Sequence, residues 1–151
     1  MELRLQYPPT PEAAPKHAEL CVSAVKDIEE VELDYSVESL ETLDGIIEKL
    51  RQEGVTSDKV AETLFTFGCY VGEVFVRNAG GRWCSPEGTS MAGATGFPLI
   101  IQLGSGGYCN PIGKVFKRLE QGVEHNLPYF YQVFTSGKGS AAEPWYKRLW
   151  K

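Results

Sequence analysis

Between Val60 and Val76 the apolar residues fill more than one face of a helix. Val60, Leu64, Phe67, Val71 and Phe75 form one stripe, and Ala61, Phe65, Gly68, Gly72 and Val76 cover a second. A helix apolar this far round is normally enclosed by other elements. The pattern therefore predicts a buried central helix over about residues 57–79, capped by Thr56 or Ser57 and stopped by Gly80 and Gly81. Gly68 and Gly72, four apart, strip side-chain bulk from one ridge. Each costs roughly 1 kcal/mol in helix propensity relative to Ala, so close packing along that ridge must return it.

The remaining pattern places other elements around this helix. Met1 to Tyr7 alternates as a short edge strand would, and Pro8, Pro9, Pro11 and Pro15 predict an extended connector. Ala18, Cys21, Val22, Val25 and Ile28 form the stripe of an amphipathic helix over about residues 15–30. Val31 to Tyr35 alternates as a strand-like or extended link. A second helix over residues 37–52 follows, with Ser36 as N-cap and Leu40, Leu43, Ile47 and Leu50 inward. After the central helix, Arg82–Cys84 and Pro98–Leu103 read as strands separated by a loop. Asn110–Pro111 is a strong helix start, with Ile112, Val115, Phe116 and Leu119 facing inward and Gly122 as the stop. Leu127–Phe134 is either a strand or a final helix. Helices first, then strands with a helix between them, predict an α+β domain. The whole chain, residues 1–151, is expected to form one such domain, with a proline-rich arm at 1–16 and a flexible segment with an aromatic tail at 135–151.

Composition changes the picture by exclusion. A net charge of −5 over 151 residues opposes non-specific nucleic-acid binding and docking on anionic membranes. No apolar run approaches the ~20 residues that span a bilayer. Nor does an apolar core precede Pro8, so no secretory signal is expected. The four cysteines lie 48, 15 and 25 residues apart, without a C-x-x-C pair. A reduced, cytoplasmic protein with no metal or cofactor is the simplest expectation.

Two places carry candidate chemistry. The first is the segment Leu99–Leu119, where a glycine-rich loop including Gly106 leads to Asn110 and Lys114. Backbone N–H groups at such a helix start can hold a phosphate or carboxylate. The formal motifs fail, because a P-loop would need Gly in place of Tyr108 and Ser or Thr in place of Val115. A dinucleotide fingerprint from Gly104 would end on Cys109 instead of Gly or Ala. A plain turn before a capped helix is the competing reading. The second place is Glu73, a carboxylate inside an apolar helix. It either pairs with Arg77 or Arg82 to fix the helix against the strand, or acts as a base or ligand contact in a pocket beside Trp83. His17 and His125 are expected at surface or cap positions. Trp145, Tyr146 and Trp150, spaced by Lys147 and Arg148, are of the types enriched at binding hot spots and form a candidate partner surface.

Three stretches, LDYSVESLETLD (Leu33–Asp44), GCYVGEVFVRNAGGRW (Gly68–Trp83) and NPIGKVFKRLEQG with LPYFYQVF (Asn110–Phe134), together resemble a family of small bacterial α+β domains of unassigned activity. The resemblance implies an α+β fold and directs attention to Glu73, Arg82, Trp83, Asn110 and Lys114. Similar small acidic bacterial proteins act as immunity or antitoxin partners, an analogy that implies protein binding. The expected function is accordingly a protein-interaction module. The alternatives are a small-molecule or nucleotide-binding domain using Gly104–Asn110, or an enzyme with Glu73 as acid or base.

Overall fold

The computed structural model describes residues 4–93 and 96–136. Five α-helices and a three-stranded antiparallel sheet make an α+β fold. The helices are α1 (Ala14–Glu29), α2 (Ser39–Gln52), α3 (Ala61–Ala79), α4 (Pro111–Gln121) and α5 (Leu127–Thr135). The strands are β1 (Arg82–Cys84), β2 (Ile100–Gln102) and β3 (Tyr108–Cys109), in the order β1-β2-β3. All five helices and the sheet contribute to one buried apolar cluster.

Helix α3 is the centre of that cluster, with Leu64, Phe65, Tyr70, Val71, Val74 and Phe75 fully buried. Its two glycines are the points of closest approach. A Cβ on Gly68 would lie 2.5 Å from Ile112 Cα, so α4 begins against bare α3 backbone. A Cβ on Gly72 would overlap Cζ2 and Cη2 of Trp83, whose ring fills that gap. The helix ends with Gly80 in the left-handed conformation, φ 70°, and the Gly81 N–H bonded to the Phe75 carbonyl at 3.1 Å. This closure turns the chain directly into β1. There Trp83 pairs with Ile101 and, beyond it, Ile101 with Cys109.

Several expectations need correction. Residues 57–60 form a turn, with the Val60 N–H on the Ser57 carbonyl, and α3 starts only at Ala61. Ser57 instead donates its hydroxyl to Glu120 at 2.7 Å. Ser36 does accept the Ser39 N–H, at 3.1 Å, but through an extra turn before α2. Val31–Tyr35 is a link without strand pairing, and residues 4–7 are not a strand. The proline-rich run is folded into turns, with Thr10 N–H on the Pro8 carbonyl at 2.9 Å. His17 is fully buried, its Nε2 3.0 Å from that same carbonyl and its ring edge-on to Tyr7 and Phe65. A tertiary contact of the arm, invisible to helical periodicity, therefore draws it inside. Ile28 leaves the α1 stripe and is 78% exposed. Leu127–Thr135 resolves as helix, because Asn126 accepts the Tyr129 N–H at 2.8 Å and Pro128 sits in its first turn.

One buried ion cluster ties three helices together. Arg118 of α4, 2% exposed, donates through Nε and Nη2 to both carboxylate oxygens of Asp44 at 3.0 and 3.1 Å. Its Nη1 reaches Glu48 at 2.8 Å. Asp44 Oδ1 also accepts the Leu127 N–H at 2.8 Å, holding the first residue of α5. A fork that satisfies a planar carboxylate with two parallel bonds is geometry that Lys cannot reproduce.

Two stability predictions follow from this packing. Gly72→Leu should cost roughly 3 kcal/mol or more in urea unfolding, since overpacking alone costs about 1–3 kcal/mol and Trp83 must also leave its seat. Gly45, with open space around it in α2, should behave oppositely, Gly45→Ala gaining about 0.5–1 kcal/mol. A loss below ~0.5 kcal/mol for Gly72→Leu, the range of a surface site, would contradict the seating of Trp83. The second concerns acid. Arg118 holds the Glu48 carboxyl below its ordinary value, so the bond stabilises the fold above that value and is lost as pH falls through the lower, folded one. The stability gap between wild type and Glu48→Gln should therefore be widest near neutral pH and close on acidification.

Candidate functional site

The apolar surroundings of α3 leave Glu73 only 4% exposed, so its charge must be met inside the protein. Trp83 donates its indole N–H to Oε2 at 2.9 Å, and Arg77 donates Nε to Oε1 at 3.3 Å. The Gly72 gap makes the first bond possible, because only a ring lying on bare backbone can aim its N–H at the next residue. Arg77, one helical turn on, then lays its guanidinium over the Tyr35 ring, 3.6 Å from the centroid. Of the two arginines considered as partners, Arg77 takes the role. Arg82 points away and donates to Gln102 at 2.9 Å, its partner in the β1–β2 register.

Tyr35 is itself fixed on every side. Its φ of 64° is unusual for an aromatic residue, and three bonds hold it there. The backbone N–H goes to the Tyr70 hydroxyl at 2.8 Å, the carbonyl accepts from Asn78 at 2.8 Å, and the phenol donates to Glu19 at 3.1 Å. Burial, then the Glu19 charge, pushes the phenol well above its ordinary value. The Tyr70 oxygen is also 2.6 Å from Ser39 Oγ, which donates to the Ser36 carbonyl at 2.6 Å. Each hydroxyl has one proton, so Tyr70 must donate to Ser39 and the chain of bonds runs in one direction. Glu73, Arg77, Tyr35 and Trp83 thus join α1, α3, β1 and the 31–38 link.

The glycine-rich segment is placed differently from the expectation of a loop running straight into a helix. It is the turn of the β2–β3 hairpin, and β3 separates it from α4. Gly106, at φ 101°, gives its N–H to the Leu103 carbonyl at 2.9 Å, and Leu103 N–H bonds Gly107 at 2.7 Å. Asn110 accepts the Gly113 N–H at 2.9 Å as the N-cap of α4. The structure therefore brings Glu73 and Trp83 together but gives Gly106 and Asn110 separate backbone duties.

Lys114 lies in a second polar cluster. Its Nζ is 3.1 Å from His125 Nδ1, and His125 Nε2 is 2.9 Å from Gln121 Oε1. An ammonium can only donate, so Nδ1 accepts and the imidazole proton sits on Nε2, facing the amide oxygen. Burial lowers Lys114 below its ordinary value, with Lys117 adding to the effect. The same desolvation, then the Lys114 charge, lowers His125. His125 is thus partnered, where a plain surface or cap role was expected. The Phe130 ring, 5.3 Å from Nζ, closes the other side.

Elsewhere, an open groove of about 530 Å³ is lined by residues 54–57 together with Arg51, Leu119 and Glu120. Among the described residues no three His, Cys, Asp or Glu side chains gather as a metal site. The cysteines are free. Cys21, Cys69 and Cys109 are buried and their thiols are pushed up chiefly by desolvation, which opposes thiolate chemistry. No described helix is long and apolar enough to cross a membrane. Trp145, Tyr146 and Trp150 lie outside the described residues. Comparison with protein-family models, curated proteins and solved structures gave no match.

The double partnering of Glu73 makes a measurable claim. Glu73→Gln keeps an acceptor for the Trp83 N–H and should cost only about 1 kcal/mol, the worth of one ordinary hydrogen bond. Glu73→Ala leaves that N–H and Arg77 without their partner and should cost roughly 2–3 kcal/mol, with a shift in Trp fluorescence. Equal losses for the two variants would show that the carboxylate does not position the indole.

Proposed function

We propose that the protein is a cytoplasmic protein-binding module, similar in logic to immunity or antitoxin proteins, whose acidic end of α1 takes a basic, apolar surface of its partner. The observation that carries this reading is Ile28, a large apolar side chain 78% exposed, followed by Val31 at 37%. Asp27, Glu29, Glu30 and Glu32 surround the two in sequence. Lys49 offsets Glu29 at 2.8 Å and Lys26 offsets Glu32 at 3.1 Å, leaving Asp27 and Glu30 without ion pairs among the described residues. An apolar point inside an acidic rim suits a partner that presents the reverse. Covering Ile28 would contribute about 1.5–3 kcal/mol, and the rim would supply steering and selectivity. The polar groups of the Glu73 cluster are bonded to one another, which favours an interface over a pocket as the functional surface.

Affinity capture from the parent cell tests the reading. Wild type should retain a basic partner in stoichiometric amount, in a manner weakened by salt. Ile28→Glu, at an exposed position that leaves folding intact, should lose it. Undiminished retention by Ile28→Glu would place the interface elsewhere, and capture of nothing by wild type would count against a binding module.

A further inference from the structure

We propose that Lys114, Lys117 and His125 form a binding site for a phosphate group, a property separate from the α1 surface. The chain carries 20 acidic against 15 basic residues, yet neither Lys114 nor Lys117 has a carboxylate partner among the described residues. Of the described cations only Lys26, Lys49, Arg77 and Arg118 form ion pairs, so Lys114 and Lys117, one helical turn apart on α4, stand as two adjacent uncompensated charges. The Lys114 ammonium instead contacts an imidazole nitrogen, His125 Nδ1, at 3.1 Å.

That contact leaves part of the ammonium unused. Of its three N–H bonds, one goes to His125 Nδ1, and among the described residues no acceptor meets the other two. Lys114 is partly buried, with Phe130 along one side, so its position is restricted. His125 in turn is oriented by Gln121 at 2.9 Å. The result is a lysine head held in place by a neutral ring, with donors to spare and a second, exposed cation on the next turn. An incoming anion meets charge from both lysines and needs little side-chain ordering, which lowers the entropic cost of binding.

The histidine selects the class of anion. The charged groups around its ring are Lys114 and Lys117 on α4 and Glu124 beside it. Desolvation first, and then the charges of Lys114 and Lys117, hold the imidazole toward its neutral form, and a doubly charged anion beside the lysines offsets the charge part of that effect. His125 then takes up a proton, its Lys114 bond gives way, and Nδ1–H becomes a third donor. A phosphate dianion supplies the charge and the oxygens for this, whereas a carboxylate supplies only one charge. Phosphate binding should therefore raise the pH at which His125 titrates.

The test follows the His125 imidazole resonances of the full chain by NMR, with inorganic phosphate as the probe. Saturable shifts with a millimolar dissociation constant, together with a titration of His125 moved to higher pH, are expected. Lys114→Gln should weaken binding at least about tenfold, the loss of one charge-assisted bond. Lys117→Gln, at an exposed position that does not threaten folding, should weaken it by about threefold, the scale of an exposed ion pair. Acetate at the same ionic strength should bind at least tenfold more weakly. Non-saturable shifts, binding unchanged in both lysine variants, or acetate binding equal to phosphate would each overturn the proposal.

Discussion

The absence of two side chains on one ridge of α3 is the constraint from which the rest of this fold follows. At Gly68 the α4 backbone rests where a Cβ would be, and at Gly72 an indole ring does. Interiors pack at crystalline density, so these two contacts fix the distance and the rotation of α4 and of the sheet relative to α3. The indole then delivers its N–H to Glu73, the residue beside the gap. A buried carboxylate is thereby stabilised by the same ring that fills the space. Larger residues at either position would separate the layers and remove the partner of the charge together.

Arg118 provides the complementary restraint on the far side of α4. Its fork on Asp44 sets α2 against α4, and Asp44 extends the link to the first N–H of α5. Replacing such a cluster with apolar residues is often neutral or stabilising, while removing one partner costs several kcal/mol. The cluster is therefore better understood as a device for register than as a source of stability. The apolar face of α2 alone, Leu40, Leu43 and Ile47, could slide along its neighbours, whereas a bidentate bond has one geometry.

Sequence periodicity made α1 to α4 legible, because each has a stripe wide enough to distinguish its buried face, whereas the short aromatic run of α5 left strand and helix open. Asn110–Pro111 and Gly80–Gly81 were legible for a different reason, being local backbone chemistry that tertiary contacts seldom override. What periodicity could not supply was the destination of polar side chains. Arg118 lies at the border of the α4 stripe, and Asp44 and Glu48, four apart, lie at the border of the α2 stripe. An isolated arginine and two acids at such borders look like solvated edges until the helices are brought together. His17 was misplaced for the same reason, its partner being a carbonyl of the folded arm nine residues away. The choice between Arg77 and Arg82 for Glu73 depended on the β1–β2 register, which gives Arg82 to Gln102. The glycine turn lies where it was read, but β3 between it and α4 was missed because a two-residue strand is too short to leave a pattern.

The distribution of satisfied and unsatisfied polar groups bears on function more directly than any motif. Glu73 is 4% exposed, and its two carboxylate oxygens already accept from the Trp83 N–H and the Arg77 Nε, so it is turned to its own neighbours and away from solvent. Tyr35 and Tyr70 are held in chains of bonds whose directions are fixed, so neither has a proton to offer without breaking a neighbour's. Groups arranged this way specify one conformation, and they are poor at reaction, which needs a group with an open valence facing accessible space. Open valences occur here at the periphery, on the carboxylates around Ile28 and on the lysines of α4. Peripheral groups bind more readily than they catalyse, because water competes at every step and no dry cavity strengthens their field. A binding role of the kind proposed above would draw on these peripheral groups, because it needs open donors and acceptors at the surface and no buried reacting group.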